Sequence, residues 1–161
     1  MRRGNGAARR CQVGYTFVAV LIMLTLCALG MAAAGPLWAD AVQRDREQEL
    51  LRIGALYAAA ITEYRDSSPG NHKQLPLSLD ELVSDPRFIS TMRHLRKLYP
   101  DPLDPARPWG LVLDTDGRVM GVYSQSQDAP LAQGPQRIGA LQLPPAQRYA
   151  DWKFTLVNTS R

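Results

Sequence analysis

Residues 13–38 have the sequence VGYTFVAVLIMLTLCALGMAAAGPLW and contain no charged side chain. The part from residue 15 to residue 38 has 24 residues, which form a helix of about 36 Å at ~1.5 Å per residue. The hydrocarbon core of a bilayer requires about 20 such residues. The stretch therefore predicts a transmembrane helix over residues 15–38.

Basic residues are concentrated on the N-terminal side of this stretch. The first ten residues contain Arg2, Arg3, Arg9 and Arg10, whereas the other 15 Lys and Arg residues balance 15 Asp and Glu residues, so the net charge of +4 comes from the leader. Positive flanking charge keeps that end of a membrane helix in the cytoplasm. The remainder of the chain is then expected in the periplasm of a bacterium. Because the excess charge is confined to the leader, no nucleic-acid partner is expected.

Two simpler interpretations of the apolar stretch stay open. A cleavable signal peptide has an apolar region of about 7–15 residues followed by small residues. The stretch here is longer, although residues 32–35, AAAG, imitate such a site. The other alternative is an uncleaved anchor of an unrelated periplasmic protein. Lipid attachment at Cys11 is not expected, because Arg9 and Arg10 precede it in place of an apolar stretch.

The start of the apolar stretch, RRCQVGYTFV at residues 9–18, resembles the processing site of prepilins. In that family a short basic leader ends in Gly. The next residue is aromatic, the one after it is usually Thr, and a long apolar helix follows. The resemblance implies cleavage after Gly14 by prepilin peptidase and N-methylation of Tyr15, where the family usually has Phe. Counted from Tyr15, Pro36 is residue 22, a position at which pilins and pseudopilins commonly have a proline that kinks the helix.

The chain departs from this family at Ala19, the fifth residue counted from Tyr15. The family nearly always has Glu there, and its carboxylate is thought to neutralise the terminal amine of a neighbouring subunit. A carboxylate at membrane depth costs about 2.5–3.5 kcal/mol unless it is paired, so its usual presence implies a use. Within type II secretion pseudopilins, the tip-located minor subunit lacks it. Ala19 therefore favours a minor or tip subunit.

The segment after the apolar stretch has a helical pattern. Its apolar residues recur every three or four positions, at Leu50, Ile53, Tyr57, Ile61 and Tyr64, which is the spacing of one helix face. The charged side chains of the segment, including Glu47, are assigned to helix faces other than this apolar stripe. The sequence SSPGN at residues 67–71 ends the helix.

The remaining residues predict a small antiparallel sheet that the apolar stripe covers. Strands are expected at residues 109–113, 119–124 and 149–157, with a turn at residues 114–118, DTDGR. Residues 125–148 are expected to be a loop. The sequences YPDP at residues 99–102 and WG at residues 109–110 also resemble type II secretion pseudopilins.

Residues 78–97 predict two further helices and no catalytic set. Ser78 and Glu81 have the spacing of a capping box, and a second helix is expected from Asp85-Pro86 to about Lys97. The two histidines, His72 and His94, are interpreted as surface residues. No nucleophile–His–acid set or metal-ligand spacing is present.

The acidic turn Asp114-x-Asp116-Gly117 lacks the further spaced oxygen ligands of a calcium loop. Accordingly no metal, cofactor or catalytic residue is expected.

These patterns together predict a pilin-like α+β protein, in which a long N-terminal helix, half transmembrane and half periplasmic, packs on a small antiparallel sheet. The expected parts are a prepilin leader at 1–14, a transmembrane helix at 15–38, a periplasmic stem helix at 39–66 and a small periplasmic α+β domain at 67–161.

The resemblance implies a non-catalytic minor subunit of a type II protein secretion pseudopilus in the inner membrane, whose partners are other pseudopilins and inner-membrane secretion components. The alternatives are a minor pilin of a type IV pilus and a membrane-anchored periplasmic protein of unrelated function, including an enzyme.

Overall fold

The computed structural model describes residues 12–70, 72–90, 92–132 and 134–156, and at 12–14 and 32–37 it describes the backbone alone. The chain divides into two compact units, residues 1–42 and residues 43–161. One α-helix, α1, spans Gln12–Asp66 and ends directly before the breaker predicted at residues 67–71. Ala and Leu, which favour helices, are frequent along it.

Five short strands form two antiparallel sheets. β1 (Gly110–Leu113), β2 (Val119–Tyr123) and β5 (Lys153–Thr155) form one sheet in the order β1-β2-β5. β3 (Gln136–Ile138) and β4 (Leu141–Leu143) form a separate hairpin. The α+β class predicted from the sequence is confirmed.

The turn between β1 and β2 is set by local chemistry. Gly117 has a φ of 73°, a left-handed conformation that glycine adopts without strain. The Asp114 Oδ1 atom accepts hydrogen bonds from the backbone N–H groups of Asp116 at 3.0 Å and Arg118 at 2.8 Å. These bonds hold the turn closed, and the hairpin predicted around residues 114–118 is confirmed.

The core of the second unit lies between α1 and the three-stranded sheet. The apolar stripe of the helix is buried, with Ile53 only 4% and Tyr57 only 1% exposed. Gly54 lies so close to β5 that a Cβ atom there would overlap the Phe154 ring. The Trp109 ring fills the space beside them, with its centroid 5.5 Å from that of Tyr57 and 6.4 Å from that of Phe154. Tight packing of large aromatic rings thus joins helix and sheet.

The segment after α1 departs from the prediction at its first helix. Only a 3-10 turn forms, over Leu79–Leu82, and the Ser78 side chain makes no capping hydrogen bond. Glu81 instead accepts hydrogen bonds from the Leu77 backbone N–H at 3.1 Å and from the Tyr64 hydroxyl at 2.7 Å. The predicted capping box is therefore wrong, because the Glu81 carboxylate is used to join this turn to α1.

The helix predicted from Asp85-Pro86 to Lys97 is also wrong, since turns and one isolated bridge occupy its described residues. The Asp85 backbone N–H donates to the Met92 carbonyl at 3.0 Å. The backbone N–H groups of His94 and Leu95 both donate to the Leu82 carbonyl, at 2.9 and 2.8 Å. These long-range bonds take the backbone groups that a helix would have used.

The third departure lies within residues 125–148, which were predicted to be a loop but contain the β3–β4 hairpin. Each strand has only three residues, too few for a clear alternation of apolar and polar side chains. Gly139 at the turn has a φ of 58°, and Leu141 and Leu143 are buried. Burial of these leucines, rather than a long strand pattern, fixes the hairpin.

Candidate functional site

The four residues assigned to processing and assembly lie in the first part of α1, which contains Gly14, Tyr15, Ala19 and Pro36. The Tyr15 side chain is 79% exposed, and Ala19 is exposed as well. Residues four positions apart share a helix face, so Ala19 lies one turn from Tyr15. At Gly14 and Pro36 only the backbone is described, and residues 1–11 lie outside the described residues.

Apolar side chains cover the surface of α1 over residues 15–31. Those of Phe17, Met23 and Leu29 are each about two-thirds exposed, at 65%, 67% and 67%. Soluble proteins rarely expose a contiguous apolar surface of more than a few hundred Å², and surfaces of this kind are typical of contacts with other proteins or with lipid. Within the described residues, no helix is both long enough and apolar enough to cross a membrane.

The segment Tyr-Pro-Asp-Pro at residues 99–102 is anchored to the core. The Tyr57 hydroxyl donates to the Tyr99 carbonyl at 3.0 Å and accepts from its N–H at 2.9 Å, while Trp109 Nε1 donates to the same carbonyl at 2.8 Å. Burial raises the pKa of the Tyr57 hydroxyl. Asp101, 1% exposed, accepts from Ser124 Oγ at 2.5 Å. These side chains hold the backbone of the segment in place.

Glu47 anchors the C-terminal part of the chain to α1. Its carboxylate accepts hydrogen bonds from the backbone N–H groups of Leu131 at 2.8 Å and Ala132 at 3.1 Å, and from the Tyr149 hydroxyl at 2.7 Å. Burial raises the pKa of Tyr149, so this hydroxyl keeps its proton and donates. The assignment of Glu47 to a helix face away from the apolar stripe is wrong, because Glu47 is 5% exposed and its donors come from 84 to 102 residues away in sequence.

A second buried carboxylate, Asp85, organises the loop that follows α1. It receives three hydrogen bonds from two nitrogens of the Arg87 guanidinium, the shortest of 2.6 Å, and lies 3.0 Å from His94 Nε2. Burial alone would raise the pKa of Asp85, but the hydrogen bonds from Arg87 and His94 outweigh it and lower the pKa from 3.8 to about 2. Arg87 also donates to the Tyr64 carbonyl at 2.8 Å. The cluster therefore ties the loop to the end of α1.

His94 was interpreted as a surface residue, and this interpretation is wrong. Its side chain is 0% exposed, and the ring packs edge-on against Tyr64, with 5.4 Å between centroids. Nδ1 is buried and has no hydrogen-bond partner among the described residues; the nearest carboxylate oxygen, of Glu63, is 3.7 Å away. The sequence carried no signal for this burial, because the residues next to His94 are basic and a basic run usually lies on the surface.

These clusters are suited to holding backbone segments together. The carboxylates of Glu47, Asp85 and Asp101 each accept hydrogen bonds from protein groups, which satisfies buried charges that would otherwise be costly. Over the described ranges, no group of three or more His, Cys, Asp or Glu side chains is arranged to hold a metal ion.

No family model matches the chain, and neither a curated protein nor a solved structure matches it. Its function must therefore be inferred from its own residues. Two features are available for this inference: the N-terminal segment around Tyr15, and the change along α1 from exposed apolar side chains to buried ones.

Proposed function

We propose that this chain is a non-catalytic, minor pseudopilin of a type II secretion pseudopilus, with a pilin-like fold. In this proposal the prepilin leader at residues 1–14 is removed, residues 15–38 anchor the subunit in the bacterial inner membrane, and the remainder lies in the periplasm. The partners are other pseudopilins and inner-membrane secretion components. The task of the subunit is assembly rather than chemistry.

The change in surface along α1 carries the proposal. Its apolar side chains are exposed over residues 15–31, whereas the stripe at residues 50–64 is buried under a small sheet. A bilayer covers the first surface in the same way that a protein core covers the second, since both remove apolar side chains from water. The uncharged sequence continues to residue 38. A basic leader ending at Gly14 is what distinguishes a prepilin from other anchored proteins.

The proposal is tested by mass spectrometry of the mature N-terminus after expression together with prepilin peptidase. The mature chain is expected to begin with N-methyl-Tyr15, and Gly14→Val should leave the leader uncleaved. Gly30→Val is the matched control: it makes the same change in α1 at a position where an added Cβ has no atom within 4 Å. An N-terminus at Gly35 or Ala39 would instead identify an ordinary secreted protein.

Ala19 specifies the kind of subunit. The amine of Tyr15 is available to the carboxylate of a neighbouring subunit, but Ala19 offers no carboxylate in return. Such a subunit suits a single terminal place in the fibre, so it should co-purify with Glu-bearing pseudopilins and be far less abundant than the major one. Fibres built from this chain alone would contradict this assignment. Co-purification with type IV pilus subunits would favour the alternative, a minor pilin.

A further inference from the structure

An apolar groove runs along the outer side of α1 in the second unit. Its floor is the helix face with Ala55, Leu56 and Ala59, and its wall is the tip of the β3–β4 hairpin at residues 138–141. The groove has a volume of about 790 Å³. Ala59 is exposed and Leu56 is 38% exposed, so the floor is open to solvent. Small side chains on a helix face let another chain approach closely, which is favourable for docking.

One end of the groove carries a carboxylate, Glu63, which lies 3.7 Å from His94 Nδ1 and has no Lys or Arg partner among the described residues. Arg52 pairs with Glu49, and Asp66 pairs with Lys73 and Arg65. Glu63 is 60% exposed at its side chain and forms no pair with Lys or Arg among the described residues. An occupant that fits this groove therefore has an apolar side chain for the floor and a cation for Glu63.

The loop next to the groove has this composition. Residues 86–90 and 92–98, here called the basic loop, contain four Lys and Arg residues and no Asp or Glu. Arg87 is used internally, whereas Arg93, Arg96 and Lys97 are exposed. Ile89 is 111% exposed. Leaving such a side chain in water forgoes the favourable free energy of burying it, so the loop offers an unburied apolar side chain together with exposed cations.

The loop is fixed at its base, close to the groove. The Asp85–Arg87 pair, 2.6 Å long, and the backbone bonds of His94 and Leu95 to Leu82 hold it against the unit. His94 belongs to the loop, and its Nδ1 lies 3.7 Å from the carboxylate of Glu63, which lines the groove. The basic loop and the groove are therefore neighbours on one face of the second unit.

We propose that a second copy of this chain occupies the groove, with the basic loop of each copy docked in the groove of the other. Complementary elements on the same face can satisfy each other reciprocally around a two-fold axis, which closes the contact at a dimer. Ile89 would lie on Ala59 of the partner copy, and the loop cations would face Glu63. The pair uses only residues of the second unit and does not depend on the proposed pseudopilin role. Because it is closed, it does not extend into a fibre.

Sedimentation of the purified full-length chain in detergent over a range of concentrations tests the dimer. The wild-type chain should dimerise reversibly, and salt should weaken the dimer by screening the charges around Glu63. Ile89→Ser and Ala59→Arg should each raise the dissociation constant about tenfold or more, as for central interface residues. Leu77→Ser, which changes a side chain 60% exposed outside the loop and groove, is the matched control and should have no effect.

Disulfide cross-linking then identifies the contact. In a Cys11→Ser, Cys27→Ser background, chains with Ile89→Cys are mixed with chains carrying Ala59→Cys, and a covalent dimer is expected only from the mixture. A chain that stays monomeric at all concentrations overturns the proposal. So does a dimer that Ile89→Ser leaves unchanged, which would place the association outside the groove and the basic loop. The N-terminal processing test is unaffected by either result.

Discussion

Gly54 provides a test of the packing of α1 on the sheet, because helix propensity and packing predict opposite signs for Gly54→Ala. In an exposed helix, replacing Gly with Ala stabilises by about 1 kcal/mol. Here the added Cβ would lie closer than 3.0 Å to three ring atoms of Phe154, whereas carbon atoms normally pack at about 3.5–4.0 Å.

The Phe154 ring has little room to move, since it is 0% exposed and packs against Trp109. Overpacking of this kind costs about 1–3 kcal/mol. The clash therefore outweighs the gain in propensity, and Gly54→Ala should lower the free energy of unfolding by about 1 kcal/mol.

The assay is urea unfolding of the purified full-length chain, followed by the fluorescence of the buried Trp109 and Trp152. Phe154→Ala removes the ring atoms that obstruct the added Cβ, so Gly54→Ala made in that background should become stabilising. The difference between Gln48→Ala and Gln48→Gly, at an exposed position of the same helix outside the groove, calibrates the propensity effect. If Gly54→Ala instead raises the free energy of unfolding of the otherwise wild-type chain by the full helix-propensity gain of about 1 kcal/mol, α1 does not pack on β5 at this point and the reasoning is refuted.

Two further predictions concern the buried carboxylates. Glu47→Ala leaves the buried hydroxyl of Tyr149 and two backbone N–H groups without an acceptor, so it should lower the free energy of unfolding by about 3 kcal/mol. Glu49→Ala, at an exposed side chain of the same helix, should change the free energy of unfolding by less than about 1 kcal/mol. Because the pKa of Asp85 is lowered from 3.8 to about 2, its ionised form should contribute about 2 kcal/mol above pH ~4. This contribution should be lost as the pH falls towards 2, and a pH titration of unfolding should show no such loss in Asp85→Asn.

The sequence by itself determined the features that depend on neighbouring residues. The spacing of Leu50, Ile53 and Tyr57 marks one helix face whatever lies against it, and that face is buried. The turn at Gly117 follows from the freedom of glycine to adopt a left-handed φ and from the Asp114 side chain three residues before it. The candidate processing site at Gly14-Tyr15 was found in the same way, as a pattern of adjacent residues, and stays a prediction.

Tertiary structure decided which polar side chains after residue 46 are buried. Glu47 is buried because its hydrogen-bond donors come from 84 to 102 residues away, and His94 is buried because Asp85 and Tyr64 surround it. Backbone hydrogen bonds from His94 and Leu95 to the Leu82 carbonyl replace the helix expected at Asp85-Pro86 with turns. A charged side chain or a short basic segment has no periodic pattern that shows whether a hydrogen-bond partner is present in a distant part of the chain. Whether such a side chain is buried depends on the balance between desolvation and hydrogen bonding, which is set only when distant segments come together.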